Sequence, residues 1–234
     1  MPTATGHRKL LEQLEADGIT TMFGNPGSSE EGLLDEISRF PGIRYILGLQ
    51  EAALVLIANG YAVATQEPTA VQLHCSVGTG NALGSLYQAF RKQRSPLVVI
   101  AGEAGAAYDA LDAHMALDLV TFARPVTKYA ARGIHAGSLL RLLRRCIKMA
   151  ATPPFGPTFL AIPQDVVDQE NHEEVHEPNP LGFPRCFDIH DPSVDYVSQA
   201  KGFGVRTPYQ VSNGTDQQTR QRGAPAYTER CAPS

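Results

Sequence analysis

The sequence has no cysteines in Cys-x-x-Cys form. Cys75, Cys146, Cys186 and Cys231 lie far apart, which leaves no zinc spacing and makes a reduced cytoplasmic setting the default expectation. It has no basic stripe either. A net charge of -4 argues against a protein that binds nucleic acid by releasing counterions. No apolar run reaches the roughly 18 residues that a bilayer span needs, and Met1–His7 shows no signal-peptide core, so no membrane association is expected. Three catalytic signatures are missing as well. Without Gly-x-x-x-x-Gly-Lys-Ser/Thr there is no phosphate-cradling P-loop, and Gly78-Thr79-Gly80 lacks the phasing of a dinucleotide fingerprint. Without Gly-x-Ser-x-Gly there is no serine-hydrolase elbow. His74 has no second ligand at metal-binding spacing in the chain, and Asp109, Asp112 and His114 read as a polar helix start, so no metal site is expected.

What is present describes a globular chain. At 234 residues and 43 % apolar content, it suits one large domain, or one domain with a tail. Short apolar runs at 19–23, 43–47, 69–74, 97–101, 126–129 and 158–162 read as strands. Helical patterns lie between them: 6–17 with Gly18 as its stop, 28–37, 51 onward, about 82–91, 111–122 and 137–150. Ser28-Ser29-Glu30-Glu31 has the form of a capping box for the second helix. Strands alternating with helices imply an α/β fold with a parallel sheet covered on both faces. In such a sheet, ligands gather outside the carboxyl ends of the strands.

Three unusual segments fall at those ends. Gly24-Asn25-Pro26-Gly27-Ser28 follows the first strand. Glu51, the only charged residue between Arg44 and Glu67, opens the helix after the second. His74 and the glycine-rich Cys75–Asn81 stretch follow the third. Singly, each has an ordinary explanation: a surface acid favoured by the helix dipole, a structural histidine, a turn. Together they define a rim bearing a carboxylate, an imidazole, a hydroxyl and an amide. That set suits an organic cofactor whose protonation a carboxylate controls.

The order and spacing of Phe23-Gly-Asn-Pro-Gly-Ser28, Leu49-Gln-Glu-Ala52, Ala58-Asn-Gly-Tyr-Ala62, His74, Gly78-Thr-Gly-Asn81 and Gly156-Pro-Thr-Phe-Leu-Ala-Ile-Pro163 resemble the thiamine-diphosphate-dependent 2-oxo acid decarboxylases. The likeness covers about residues 6–170 and is to the N-terminal, pyrimidine-binding domain, nearest the benzoylformate decarboxylase branch. The resemblance implies that Glu51 matches the glutamate that hydrogen-bonds N1′ of the aminopyrimidine, its pKa raised by burial so that it can pass a proton near neutral pH. It implies that His74 assists proton transfers and that Ser28 contacts the substrate carboxylate. Asn25, Pro26, Gly27, Gly78, Thr79, Gly80 and Asn81 would line the cofactor pocket, and the substrate class would be 2-oxo acids.

The chain also departs from that pattern. The family's enzymes are more than twice as long and bind Mg²⁺ and the diphosphate through a Gly-Asp-Gly motif in another domain; this sequence contains none, and Ser212-Asn213-Gly214 reads as a turn. Thiamine diphosphate would therefore meet only its pyrimidine half here, with Mg²⁺ supplied through a partner domain. After the 1–170 domain, residues 171–185 read as an acidic, proline-rich linker. Residues 186–205 read either as a remnant of the diphosphate-binding domain or as a chance amphipathic helix. Residues 206–234, poor in apolar side chains, are expected to form a disordered tail. Two expectations follow: a decarboxylase-type chain completed by a homo-oligomer or a diphosphate-domain subunit, or a non-catalytic remnant that pairs with a full-length relative.

Overall fold

A computed structural model describes residues 4–177, apart from residue 112 and the side chain of Gln93. The elements run α1 (Gly6–Ala16), β1 (Thr21–Gly24), α2 (Glu31–Ile37), β2 (Arg44–Leu47), α3 (Glu51–Thr65), β3 (Thr69–Leu73) and α4 (Cys75–Gln88). They continue as β4 (Leu97–Glu103), α5 (Leu119–Ala123), β5 (Tyr129–Arg132), α6 (Leu139–Ala151), β6 (Thr158–Pro163) and α7 (Gln164–Val167). The six strands form one sheet in the order β2-β1-β3-β4-β6-β5, and every pairing is parallel.

The sheet separates two apolar layers, and strand alternation decides which residue enters each. Met22, Ala70, Val98, Ile100, Leu160 and Ile162 point to one side, where α1, α2, α6 and α7 pack. Phe23, Val71, Leu73, Val99, Ala101 and Phe159 point to the other, against α3, α4 and α5. Both faces are covered, which explains why β3, β4 and β6 read as near-continuous apolar runs. In α6 the burial of Leu139, Leu140, Leu143, Cys146, Ile147 and Ala150 follows the helical period. The Lys128 Nζ donates to the carbonyl oxygens of Met149 and Thr152 near its C-terminal end, where cations are favoured.

Three expectations shift. The first strand begins at Thr21 and the fifth at Tyr129, because Arg124–Val126 forms a 3-10 turn with Pro125 at its start. The segment expected as one helix over 111–122 is instead a 3-10 turn at Ala106–Leu111 and a short α5. Asp118 starts α5, its carboxylate accepting from the Thr121 backbone N–H. The capping box on Ser28 does not form: Ser28–Glu30 is a 3-10 turn, and the Glu30 carboxylate reaches back to the Gly27 N–H at 2.9 Å.

Residues 171–177, the first part of the expected linker, are hydrogen-bonded to the domain body. The His176 N–H donates to Gln13 Oε1 at 2.8 Å, Gln13 Nε2 donates back to the His176 carbonyl at 3.1 Å, and Glu173 accepts from the Leu140 N–H at the start of α6. The rest of that linker, the 186–205 remnant, the turn at 212–214 and the 206–234 tail lie outside the described residues. Among the described residues no helix is long and apolar enough to cross a membrane.

Candidate active site

Strand order places the site. From β1 the chain passes through α2 on one face to β2, then through α3 on the other face to β3, on the far side of β1. The segments leaving β1 and β3 therefore diverge, which opens a crevice at their carboxyl ends. Asn25–Glu30 enters it from β1 and His74–Cys75 from β3. Glu51 enters from the first turn of α3, whose start is capped by Gln50 Oε1 accepting from the Ala53 N–H at 2.8 Å.

Glu51 is 7 % exposed, and each of its carboxylate oxygens accepts one side-chain bond. Asn25 Nδ2 donates to its Oε1 at 2.8 Å, and Asn81 Nδ2 donates to its Oε2 at 3.0 Å. Asn25 is positioned in turn by β3, where Gln72 Nε2 donates to its carbonyl oxygen at 3.5 Å while Gln72 Oε1 accepts from the Tyr45 hydroxyl at 2.7 Å. Burial alone would raise the Glu51 pKa, but the bonds from Asn81, its own backbone N–H and Asn25, with His74 nearby, outweigh it. The group lies below the usual carboxylate range, which corrects the expectation of a raised value. Sequence inspection saw an apolar helix; it did not see two amides arriving from elsewhere.

The glycine-rich stretch is not a loop. α4 begins at Cys75, directly after β3, with the Gly78 N–H bonded to the His74 carbonyl oxygen. The turn places Cys75 at φ 42°, a region uncommon for a residue with a side chain. Gly78 lies close to both groups: a Cβ there would stand 3.3 Å from Glu51 Oε1, a tight fit, and 3.6 Å from His74 Cβ, an ordinary contact. One glycine thus borders both the acid and the imidazole. Within the same helix Asn81 reaches Glu51, Gly80 faces the Phe122 ring, and Thr79 is fully buried, its hydroxyl unpartnered among the described residues.

His74 is held from one side. Its Nδ1 lies 2.9 Å from Glu30 Oε2 and 3.1 Å from Ser29 Oγ. The Ser29 hydroxyl donates to Glu30 Oε1 at 2.6 Å and lies 3.2 Å from Cys75 Sγ. Glu30 as a carboxylate only accepts, so Nδ1 carries a proton toward it. Ser29 spends its proton on Glu30. This assignment leaves His74 Nε2 as the acceptor of the neutral ring, without a protein partner among the described residues. A Cβ on Gly27 would lie 2.4 Å from the His74 ring, so the backbone at 27 packs flat against the imidazole. Burial pushes the Cys75 thiol pKa up; the Ser29 bond opposes this, while Glu30 and Glu103 reinforce it.

Of the residues expected from the sequence, Asn25, Glu51, Gly78 and Asn81 converge on one carboxylate, and Gly27 and His74 stack beside it. Pro26 is half-buried, and Ser28 is exposed with its hydroxyl free of bonds among the described residues. Ser29, Glu30 and Cys75 were missed. Glu30 lay inside the expected Ser28–Glu31 capping box, and it stands 44 positions before His74 with no pattern that joins them.

A doubly wound α/β domain with an amide-clamped acid and a carboxylate-held histidine at its switch point is a cofactor-binding module in form. The family profile described as "Thiamine pyrophosphate enzyme, N-terminal TPP binding domain" matches residues 4–122, and the chain belongs to that family. Benzoylformate decarboxylase of Pseudomonas aeruginosa is 39 % identical over 163 residues, covering 69 % of this chain and 30 % of that protein. The acetolactate synthase large subunit of Haemophilus influenzae is 29 % identical over 168 residues, 72 % of this chain and 29 % of its own. Among solved structures, the thiamine diphosphate-dependent 4-hydroxybenzoylformate decarboxylase of Rhodococcus jostii RHA1 superposes with a TM-score of 0.68 at 34 % identity, over 74 % of this chain and 34 % of that one. The chain spans about 30 % of the length of these curated relatives.

Proposed function

We propose that this chain binds the aminopyrimidine half of thiamine diphosphate and contributes it to a 2-oxo acid decarboxylase (a carbon–carbon lyase) completed by another diphosphate-binding subunit. The observation that carries this is the amide-clamped Glu51 carboxylate. Each oxygen accepts one asparagine N–H, which leaves lone pairs free for a ring N–H. The missing Cβ at Gly78 keeps the approach to Oε1 open. The donor set therefore fits an aminopyrimidine. Bound thiamine diphosphate supplies the electron sink that decarboxylation of a 2-oxo acid requires. Glu51, ionised at neutral pH, holds a proton at N1′. His74 Nε2 offers a proton acceptor at the same rim, oriented by Glu30 and Ser29. Ser28, exposed on the lip, offers a hydroxyl to the substrate carboxylate. Pro26, Gly27, Thr79 and Gly80 shape the walls.

No Gly-Asp-Gly occurs in the sequence, so Mg²⁺ and the charge-assisted diphosphate contacts are assigned to the partner. An exposed apolar helix face supports this reading. Ala53, Leu56, Ile57, Gly60, Val63 and Ala64 are exposed on one side of α3, with Leu56 and Ile57 at 48 % and 59 %. An apolar helix face of this kind marks an interaction site, and the same face favours a second reading, a non-catalytic module that pairs with a full-length relative. Calorimetric titration with thiamine diphosphate and Mg²⁺ should give no micromolar complex for the chain alone. Saturation-transfer NMR should show contact at the aminopyrimidine protons and lose it in Glu51→Gln. A folded chain without that transfer would overturn the cofactor assignment.

A further inference from the structure

We infer that Glu30, His74 and Cys75 form a binding site for a borderline-soft divalent cation of the Zn²⁺ type, beneath the rim that carries Glu51. The three residues offer a carboxylate oxygen, an imidazole nitrogen and a sulfur, all within 4.8 Å of one another. That mixed set selects against Mg²⁺ and Ca²⁺, which take oxygen ligands, and for Zn²⁺. No spacing in the chain signals it, because Glu30 arrives from the segment after β1 while His74 and Cys75 arrive from the end of β3.

One donor pair already stands near the spacing that the ion needs. In a tetrahedral site with bonds of roughly 2.0 Å to nitrogen and oxygen, neighbouring donors stand about 3.3 Å apart. Glu30 Oε2 and His74 Nδ1 are 2.9 Å apart, so the pair must open by a few tenths of an ångström. Ser29 Oγ touches all three residues, at 2.6, 3.1 and 3.2 Å, and can supply the fourth donor or orient a water there. Two of the three ligands are enclosed: Glu30 is 4 % exposed and Cys75 2 %. His74, half-buried, is the way in. On binding, the thiol gives up its proton to solvent and the imidazole shifts its proton from Nδ1 to Nε2, so one proton is released per ion. A bound cation would then leave Nε2 a donor rather than an acceptor.

The test uses the full chain with Cys186→Ser and Cys231→Ser, so that only Cys75 and Cys146 carry sulfur. Co²⁺ is the probe. One equivalent should bind with a near-ultraviolet sulfur-to-cobalt charge-transfer band, and Zn²⁺ should displace it. Cys75→Ala should abolish the band and Cys146→Ala should leave it. Glu30→Gln should weaken binding by at least about tenfold. Should Cys75→Ala not fold, ¹¹³Cd NMR of the parent chain decides, because a one-sulfur chemical shift is required. Absence of the band in folded protein, its survival in Cys75→Ala, or a sulfur-free cadmium shift would overturn the site.

Discussion

Asn81 donates its side-chain N–H to Glu51 at 3.0 Å from the second turn of the neighbouring helix. The bond crosses the α3–α4 contact, so the packing of two helices helps hold the pKa of one acid down. The start of α4 at Cys75 brings Asn81 level with the first turn of α3, and Gly78 adds no side chain beside Glu51 Oε1.

The first prediction concerns that coupling. Glu51 has a lowered folded pKa, against an ordinary 4.5. Its contribution to stability is therefore present above the unfolded value and lost as pH falls through the folded one. Asn81→Ala removes the largest opposing bond, so the Glu51 pKa should rise. Denaturation in urea at pH 7 should show a loss of about 1–3 kcal/mol, the usual worth of a hydrogen bond to a charged group. That loss should shrink toward low pH, as the carboxyl takes up its proton on passing through the lowered folded value. An equal loss at both pH values would refute the coupling.

The second prediction separates function from stability at the acid itself. Once a diphosphate-binding partner restores turnover, Glu51→Gln should abolish it while circular dichroism shows the fold intact, at a stability cost of about 1–3 kcal/mol like that of Asn81→Ala. Glutamine keeps the volume and one acceptor but cannot hold a proton at N1′. Retained turnover would remove Glu51 from its proposed role.

How much of this was legible beforehand varied with the range of the interactions. Strand positions were readable because burial on both faces leaves uninterrupted apolar runs, as in Leu97–Ala101. The rim was readable because topology alone puts strand ends together. The start of α4 was not, since two glycines within Cys75–Asn81 look like a loop, and only the fold shows Gly78 lying beside Glu51. The sign of the Glu51 shift and the Glu30–His74 pair were hidden for one reason. Both depend on partners 26 to 44 residues away, and a polar residue's environment leaves no periodic trace in its own neighbourhood.

The third prediction divides two adjacent serines. Ser29 is buried and bonded to Glu30, His74 and Cys75, whereas Ser28 is exposed. Ser29→Ala should cost about 1–3 kcal/mol by leaving a buried carboxylate oxygen unpaired. Ser28→Ala should stay within about 0.5 kcal/mol of the parent, as surface changes do. Its effect should appear instead as a raised KM for a 2-oxo acid in the reconstituted enzyme. Thermal and urea denaturation of the two variants side by side checks the structural half. A destabilised Ser28→Ala would mean that the hydroxyl is a structural cap after all.

The fourth prediction tests the docked segment at 171–177. Gln13, fully buried, exchanges two hydrogen bonds with His176 and donates a third to Asp17 Oδ2 at 3.0 Å. Burial raises the Asp17 pKa, while Arg144, Gln13 and His176 pull it back. A raised carboxyl pKa means that folding is favoured with the proton on and weakens as pH rises through the folded value. Gln13→Ala strips one of the restraining bonds, so the Asp17 pKa should climb further. The variant should lose about 1–3 kcal/mol, with the greater loss at pH 7, where Asp17 must ionise without its amide, than at pH 4. Limited proteolysis should then cut near His176 faster than in the parent, because Arg144 alone still holds the carbonyl oxygens of 176 and 177. An unchanged cleavage rate, with stability loss independent of pH, would show that Gln13 serves only to fill space under α1.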